Sequence, residues 1–575
     1  MIYDDEYLED IILEGEPYHT EWVEKAQRDK KFARGDQWDE DVKKELQEQG
    51  RPALTLNLIR PLIRLLTGME RKSRYDMRAM PVGDSDSGTA RIITGLEKQI
   101  EYDNNAQMLY SEMYKHGLES GRGWLQVDVS YDWCMYGDIV YREIDPFEIA
   151  VDPYARRYDL RDARYLYRHH YMTEDTVTEL YPSINVEELS WSSTAGIYAF
   201  ADMPRYELYE VWYRKWAIRT LLADMATGDI VILSEEDKQK YAKRLQENAR
   251  YKLVDYKVPR MHWAVLDGSL SVVEKGESPF THNFFPYVNF YAEFLPRFHD
   301  LKPDWLGIVR DLIDPSEEKN KRRSQYSDII NRIINTGHRF TEGAVVNQDE
   351  LGKNRRPDHK IIMAEDKFGE YEPIRSDAPN PALFQLDQIN NQDLQQISSI
   401  PPDLAGFEQS SRESGRAVML RQNAGSSTLA PYQDNMRLAR KTVAQITMAL
   451  IQQLYTTPRM VKMIDESGDT QQVEVNVPPQ EAFERVKNDL TLGKYDIQMA
   501  EIPSTPTMRQ GEFVELMEMV KLGVLPITPG VAKFIVESSD MSLKGKLLGI
   551  LDGEFKQQQE QQKEAQQQEL IAKHA

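Results

Sequence analysis

Residues 303–335, PDWLGIVRDLIDPSEEKNKRRSQYSDIINRIIN, constrain the fold of this chain more than any other stretch. An apolar entry (Trp305, Leu306, Ile308, Val309, Leu312, Ile313) leads to Pro315-Ser316, which reads as a helix start with Glu317 and Glu318 in its first turn. A basic cluster follows at Lys319, Lys321, Arg322 and Arg323, and the stretch closes on Ile329, Ile330, Ile333 and Ile334. A start signal, early carboxylates and helical apolar spacing predict one long capped helix. Heavy charge in its middle leaves two options: the helix bridges two bodies through solvent, or it packs against copies of itself.

A chain of 575 residues predicts about two to four domains. Its formal net charge of −23 argues against wrapping nucleic acid by general electrostatics, which needs a basic surface. The same charge does not exclude a protein past which DNA slides, where acidic walls would prevent sticking. Cys134 is the single cysteine, so no intrachain disulfide framework forms, and a packed thiol in a reducing cytosol is expected. No apolar run reaches the roughly 18 residues of a transmembrane helix. The acidic opening, MIYDDEYLEDIILEGE, lacks the basic-then-apolar order of a signal peptide. A soluble protein, made and used inside a cell or a particle assembled there, is expected.

Taken in order, residues 20–34 predict an amphipathic helix stopped by Gly35, with Trp22, Ala26 and Phe32 near one face. Residues 53–57 read as extended, and a helix begins near Ile59 with Pro61 in its first turn. Its inward positions are Leu62, Ile63, Leu65 and Leu66, and Arg71, Lys72, Arg74 and Arg78 suit its C-terminal end. A helical pair over 87–119 carries stripes at Ile92, Ile93, Leu96, Ile100 and at Met108, Leu109, Met113, until Gly121-Arg122-Gly123 breaks it. Alternating sequence then predicts antiparallel strands through about 300, with a short helix capped by Thr173 and a charged helical segment near 234–250. After the long helix, 337–380 reads as a small β-containing excursion, and 382–398 resumes a helix packing through Leu383, Leu386, Ile389 and Leu394. Helix out, knob, helix back makes a helical hairpin. An irregular 400–413 precedes a long helical tract over 414–455, interrupted near 424–431. Its later stripe is Met436, Ala439, Val443, Ile446, Leu450 and Leu454. Strands at RMVKMI, QQVEVNV and YDIQMA, helices over 507–555 and a Gln-rich tail complete an α+β chain.

No constellation in the sequence supports catalysis. Gly493-Lys494-Tyr495 and Gly545-Lys546-Leu547 lack the hydroxyl and the upstream glycine of a phosphate loop. There is no HExxH and no GxSxG. His169-His170, on a strand, point to opposite faces and cannot share a metal without a bulge. Asp145, Asp152 and Asp159 fit turn chemistry better than metal ligation.

The basic cluster supports two readings. Glu317 precedes Lys321, and Glu318 precedes Arg322, by one helical repeat in the favourable acid-first order. That makes a self-neutralised stripe facing solvent or a subunit; the other reading is a ring of cations facing a polyanion. Arg339, Lys353, Arg355 and Arg356, at the tip of the hairpin, form a second basic group freer to meet a partner.

Four segments in order carry a resemblance. They are GRPALTLNLIRPLIRLLTGMERKSR, DPFEIAVDPYARRYDLRDARYLYRHHYMT, ESGRAVMLRQNAG with the later DNMRLA, and YDIQMAEIPSTPTMRQGEF. Together they are similar to the portal proteins of tailed bacteriophages, the head-to-tail connectors, in the long-chain type of short-tailed phages. The likeness runs over roughly 20–555. It implies a portal fold: a wing at 1–300, stem helices at 301–336 and 382–399, a clip at 337–381 and a tunnel loop at 400–413. A long backbone helix with wing strands at 414–505, a helical crown at 506–555 and a tail at 556–575 complete it. It also implies a homododecameric ring at one capsid vertex, through which a separate terminase packages DNA and through which DNA is ejected. The implied partners are further copies of the chain, the major capsid protein and scaffold, the terminase large subunit, a head-tail adaptor and double-stranded DNA. No cofactor, metal, membrane or enzymatic activity is implied, and the location is the virion, assembled in the host cytoplasm. Lys319, Lys321, Arg322, Arg323, Arg412 and Arg416 are the candidates for facing the channel or DNA, and Arg339, Lys353, Arg355 and Arg356 for clip contacts. A tail adaptor or scaffold-like connector is the structural alternative, and a nucleic-acid-processing enzyme the more remote one.

Overall fold

The computed structural model describes residues 5–72, 75–82, 87–182, 191–192, 205–224, 230–233, 251–299, 302–334, 338–347, 361–365, 371–373, 381–398, 429–464, 470–478, 488–491 and 494–501, with a few positions between 517 and 536. The expected tunnel loop, crown and tail, the charged segment near 234–250 and the first part of the tract from 414 lie outside the described residues, or almost entirely so. Lys353, Arg355, Arg356, Arg412 and Arg416 lie outside them as well.

Helix α1 spans Asp5–Arg34, starting well before the expected residue 20. Its buried positions run Leu8, Ile11, Ile12, Gly15, His19, Trp22, Ala26 and Ala33, one unbroken helical stripe. Asp5, Glu6, Glu9 and Asp10 form its wet face, while Glu14 and Glu16 reach the sheet and accept from Arg164 and from the Tyr167 hydroxyl. Gly35, at φ 101°, ends the helix in a conformation that favours glycine. A helix the sequence reading lacked, α2 (Glu40–Glu48), starts where Asp39 accepts the Asp41 N–H. Residues 53–57 follow without strand partners, and α3 spans Ile59–Lys72. Asn57 fixes the entry to α3: its Oδ1 accepts the Ile59 and Arg60 N–H groups, and its Nδ2 donates to Ala33 O. Arg78, expected at the end of that helix, instead lies on strand β1 (Tyr75–Val82).

Helices α4 (Ser87–Asp103) and α5 (Ala106–Ser120) form the expected pair. Met108 faces solvent rather than the core, because Tyr110, Met113 and Tyr114 take the buried face of α5. Strands β2 (Arg122–Ser130) and β3 (Asp138–Ile144) form a hairpin, extended on the other side of β2 by β11 (Tyr287–Tyr291). Cys134 sits half-exposed in the turn of that hairpin, not packed, because the turn projects beyond the sheet.

The larger antiparallel sheet has the order β10–β9–β7–β5–β4, from β4 (Ile149–Val151), β5 (Tyr165–Met172), β7 (Arg205–Asp224), β9 (Tyr251–Asp267) and β10 (Val272–Glu277). The short strands β6 (Trp191–Ser192) and β8 (Ile230–Leu233) pair with β7. Helix α6 (Glu174–Leu180) follows β5 as expected from Thr173, although the threonine hydroxyl makes no capping bond. Asp145, between β3 and β4, and Asp152, between β4 and β5, do turn chemistry, accepting the Phe147 and Tyr154 N–H groups. Asp162 accepts the N–H groups of Arg156 and Arg157.

Strands β12 (Glu293–Leu295) and β13 (Asp304–Leu306) pair just before α7 (Ile308–Ile334). In the tip that follows, β14 (His338–Phe340) pairs with β15 (Tyr371–Pro373). Helix α8 (Pro381–Ser398) returns along α7. Helix α9 (Ala430–Leu454) buries Met436, Ala439, Val443, Ile446 and Leu450 against α4 and β11. Asn435, from the DNMRLA segment, donates to the carbonyls of Tyr291 and Ala292. Strands β16 (Arg459–Ile464) and β17 (Thr470–Val475) form a hairpin. Strand β18 (Lys494–Glu501) pairs with β1 over its whole length and joins segments more than four hundred residues apart.

The helical hairpin and its root as the candidate functional site

Helix α7 starts at Ile308, not at Pro315-Ser316. Its entry residues Ile308, Val309, Leu312 and Ile313 already have helical spacing, and all four are buried. That burial carries the helix through Pro315, which lies in its interior. Glu317 and Glu318 are therefore mid-helix residues, and their carboxylates act through partners rather than through the helix dipole.

The root of the hairpin is fixed from three sides. Arg310 grips Asp29 on α1, with Nη2 2.6 Å and Nε 3.1 Å from Asp29 Oδ2. Burial pushes the Asp29 carboxyl above its usual range despite this partner. Beside it, the Arg122 guanidinium lies between two indoles, 3.9 Å from the Trp22 ring centroid and 3.6 Å from that of Trp305. Arg122 Nη1 donates to Ile149 O at 3.3 Å, and burial lowers its pKa to about 9. Gly121 and Gly307 make the close approach possible: a Cβ at either would stand 2.5 Å from a backbone oxygen, Trp305 O for Gly121 and Leu118 O for Gly307. On the next turns, Asn320 Oδ1 accepts the Leu56 N–H at 2.8 Å and Ser324 Oγ accepts the Leu54 N–H at 2.9 Å. The partnerless extended segment thus satisfies its backbone on α7 rather than on a sheet.

Three of the four cations in the α7 cluster are tied within the chain. Lys319 is buried and donates to Asn391 on α8, and burial lowers its pKa. Arg323 lies 3.5 Å from Asp387, also on α8. Arg322 meets Glu318 one turn back at 2.5 Å, as its spacing indicated. The expected Glu317–Lys321 pair is absent: Glu317 pairs at 2.8 Å with Arg28 on α1, leaving Lys321 exposed at the edge of a cleft under α2. At the tip, Arg339 is exposed on β14 opposite Glu372.

Helix α8 has an unusual distribution of side chains. Among the described side chains, its face toward α7 carries Asp387, Asn391 and Leu394, of which Leu394 alone is apolar. Leu386 and Ile397 lie about a quarter of a turn away and Ile389 nearly half a turn away, and they are 39%, 43% and 49% exposed. Leu386 and Ile389, expected to pack within the chain, therefore do not; the polar seam with Lys319 and Arg323 occupies that face instead. The side chain of Leu383 lies outside the described residues.

Residues Glu112, His116 and Glu143 bring ligand atoms within 4.8 Å of one another. The arrangement is explained by pairing: His116 Nε2 lies 2.7 Å from Glu143, and Lys115 Nζ lies 2.9 Å from Glu112. His169 and His170 point apart on β5. The first meets Glu207 at 2.6 Å; the second is buried, with its pKa lowered to about 3.

Residues 14–575 match the family described as phage P22-like portal protein. A portal protein of Helicobacter pylori bacteriophage KHP30 is 19% identical over 479 residues, covering 80% of this chain and 69% of that protein. The match puts this chain, with its long helical hairpin rooted in an α+β body, among the phage portal proteins. Within that class, the chain belongs to the P22-like portal protein family and is a bacteriophage portal component.

Proposed function

We propose that the chain assembles into a closed ring, usually of twelve copies, at a unique capsid vertex. Through its channel a separate terminase motor packages double-stranded DNA, and through it the DNA later leaves. The major capsid protein and scaffold surround the ring, and a head-tail adaptor docks beneath it. In this reading residues 1–300 and the strands up to 505 form the wing, α7 and α8 the stem, 337–381 the clip, 400–413 the tunnel loop and 506–555 the crown.

The observation that carries the ring is the outward apolar row of α8, Leu386, Ile389 and Ile397. A helix that keeps polar groups against its own chain and turns apolar ones outward is built for a neighbour. In a ring, the next stem covers that row. The net charge of −23 per chain, repeated around the channel, repels DNA and keeps its passage free of sticking. Lys321 is the member of the α7 cluster best placed to meet a phosphate, since it is exposed and in no ion pair among the described residues. Lys319 and Arg323 serve the hairpin seam first and Arg322 pairs with Glu318 on its own helix; Arg412 and Arg416 remain candidates for the tunnel loop, and Arg339, Lys353, Arg355 and Arg356 for the clip.

Electron microscopy with light scattering tests this reading. The purified chain, at 66.8 kDa per copy, should give rings with a central hole and a mass of roughly 800 kDa for a closed cyclic dodecamer. A chain that stays monomeric at every concentration tested overturns it.

A further inference from the structure

Helix α2 and the outer face of α3 carry complementary charge that the chain does not use on itself. Arg34, Arg60, Arg64 and Arg71 line one open cleft of about 490 Å³ between α1, α3 and α5. Arg60 donates to Arg34 O and Arg71 to Ser111 Oγ, but none of the four is in an ion pair among the described residues. Two carboxylates also line the cleft: Glu112 is held by Lys115, and Glu119 acts on Lys30 and Lys115, so the four arginines still stand in excess. In a chain of net charge −23, four unneutralised guanidiniums in one cleft call for an anionic partner.

Helix α2 has the opposite character. None of its residues is buried, although it is capped and nine residues long. Val42 and Leu46 turn toward the cleft that Trp38 and Lys321 also line, against α7. Glu40, Asp41, Glu45 and Glu48 fall within an arc of about 140° at the helical advance of about 100° per residue, with Lys44 among them. None of these four carboxylates is in an ion pair among the described residues; Glu45 accepts only from the Gln49 amide.

The two surfaces lie on opposite sides of α1. Arg28 borders the cleft beneath α2, whereas Lys30, Ala33 and Arg34 border the arginine cleft. The two sets of residues are separated by about half a turn of the helix. Complementary patches on opposite flanks of one chain are what a head-to-tail contact requires, since each copy then offers one patch to each neighbour.

We propose that the acidic face of α2 docks into the Arg34/Arg60/Arg64/Arg71 cleft of the adjacent copy. This rests on the ring reading and names a heterologous contact for it away from the helical hairpin. The surface row on α3 is matched in chemistry by carboxylates, and the partner is a second copy of this chain. The alternative occupant of the cleft, a DNA backbone, is an outcome of the test.

The experiment uses full-length chains and measures the concentration for half-maximal ring formation by mass photometry. Arg60→Glu/Arg64→Glu and Glu45→Arg/Glu48→Arg should each raise that concentration at least tenfold, and their combination should restore it to within threefold of wild type. Circular dichroism and melting of each variant check folding; if a reversal variant unfolds, Arg60→Gln/Arg64→Gln and Glu45→Gln/Glu48→Gln replace it and should raise the concentration severalfold. Rings forming as readily with the arginines reversed overturn the proposal. So does failure of the folded combination to recover. Normal rings that lose retention of a short DNA duplex at low salt overturn it in favour of DNA. A wild-type chain that never forms rings removes the ring reading itself, which separates the two failures.

Discussion

Arg310, two residues into α7, holds Asp29, near the end of α1, with two nitrogens on one carboxylate oxygen at 2.6 and 3.1 Å. Asp29 is 1% exposed at its side chain and Arg310 18%. A buried pair of this kind is costly to break from one side, because the surviving charge stays dehydrated. Asp29→Asn should therefore destabilise the root by about 3 kcal/mol. Asp29→Leu combined with Arg310→Met should cost less than either single change. Urea titration followed by tryptophan fluorescence, which reports on Trp22 and Trp305, reads both.

Arg122 tests whether planarity or charge matters between the two indoles. Lysine keeps the charge but cannot stack on two rings, so Arg122→Lys should lose about 2 kcal/mol. Arg122→Met fills the slot without a charge to bury and should be milder than Arg122→Ala, which opens a cavity. The ranking Met, Lys, Ala in order of increasing loss, read from melting temperatures, is the expected result; Lys behaving as wild type would contradict it.

The outward row on α8 should matter for assembly and not for the stability of a single copy. Leu386→Asp with Ile389→Asp should abolish rings, while the melting curve of the isolated chain shifts by less than about 0.5 kcal/mol, as exposed substitutions do. Sedimentation velocity separates the two effects.

Three buried histidines give the body an acid sensitivity. Burial, first among the causes, lowers the pKa of His19 and His170 to about 3 and of His282 to about 4, from an ordinary 6.5. Between those values the unfolded chain binds protons that the folded chain refuses, so stability falls as pH drops below 6.5 and keeps falling toward 4. Each contributes a slope of about 1 kcal/mol per pH unit in that window. Melting temperatures at pH 7, 5.5 and 4.5 should decline accordingly, and His170→Leu should flatten the decline.

Arg323→Glu places a carboxylate against Asp387 across the hairpin seam. At a half-exposed site the repulsion is modest, about 1 kcal/mol. Hydrogen exchange should rise in α8 and stay unchanged in α9; no change in α8 would mean the seam is held by Lys319–Asn391 and Leu394 alone.

Legibility in the sequence followed the range of the forces involved. The stripe from Met436 to Leu450 could be read directly, because one face of α9 is buried in its own chain and the period is unbroken. Asp145 and Asp152 were legible as turn residues because their roles are local, and Thr173 marked the start of α6 without capping it. Charge misled in both directions: the acidic opening hid the stripe of α1, and Lys319, in a charged run, proved buried. Arg122 looked like part of a glycine break, since nothing local announces that Trp22 and Trp305 will close on it. The β1–β18 pair unites two distant segments of the chain and leaves no trace in either alone. For α8, spacing identified Leu386 and Ile389 as packing residues; the chain's own contacts leave both exposed.

The exposed Leu386 and Ile389 bear on how the molecule must be made. A newly finished copy carries its oily edge into water, and so do all its siblings, with nothing yet to distinguish a proper neighbour from a random one. Orderly growth then competes with clumping, and the outcome depends on how fast copies accumulate relative to how fast they find one another in register. Overproduction alone, with no mutation, should turn a soluble product into precipitate, and slow synthesis should rescue it.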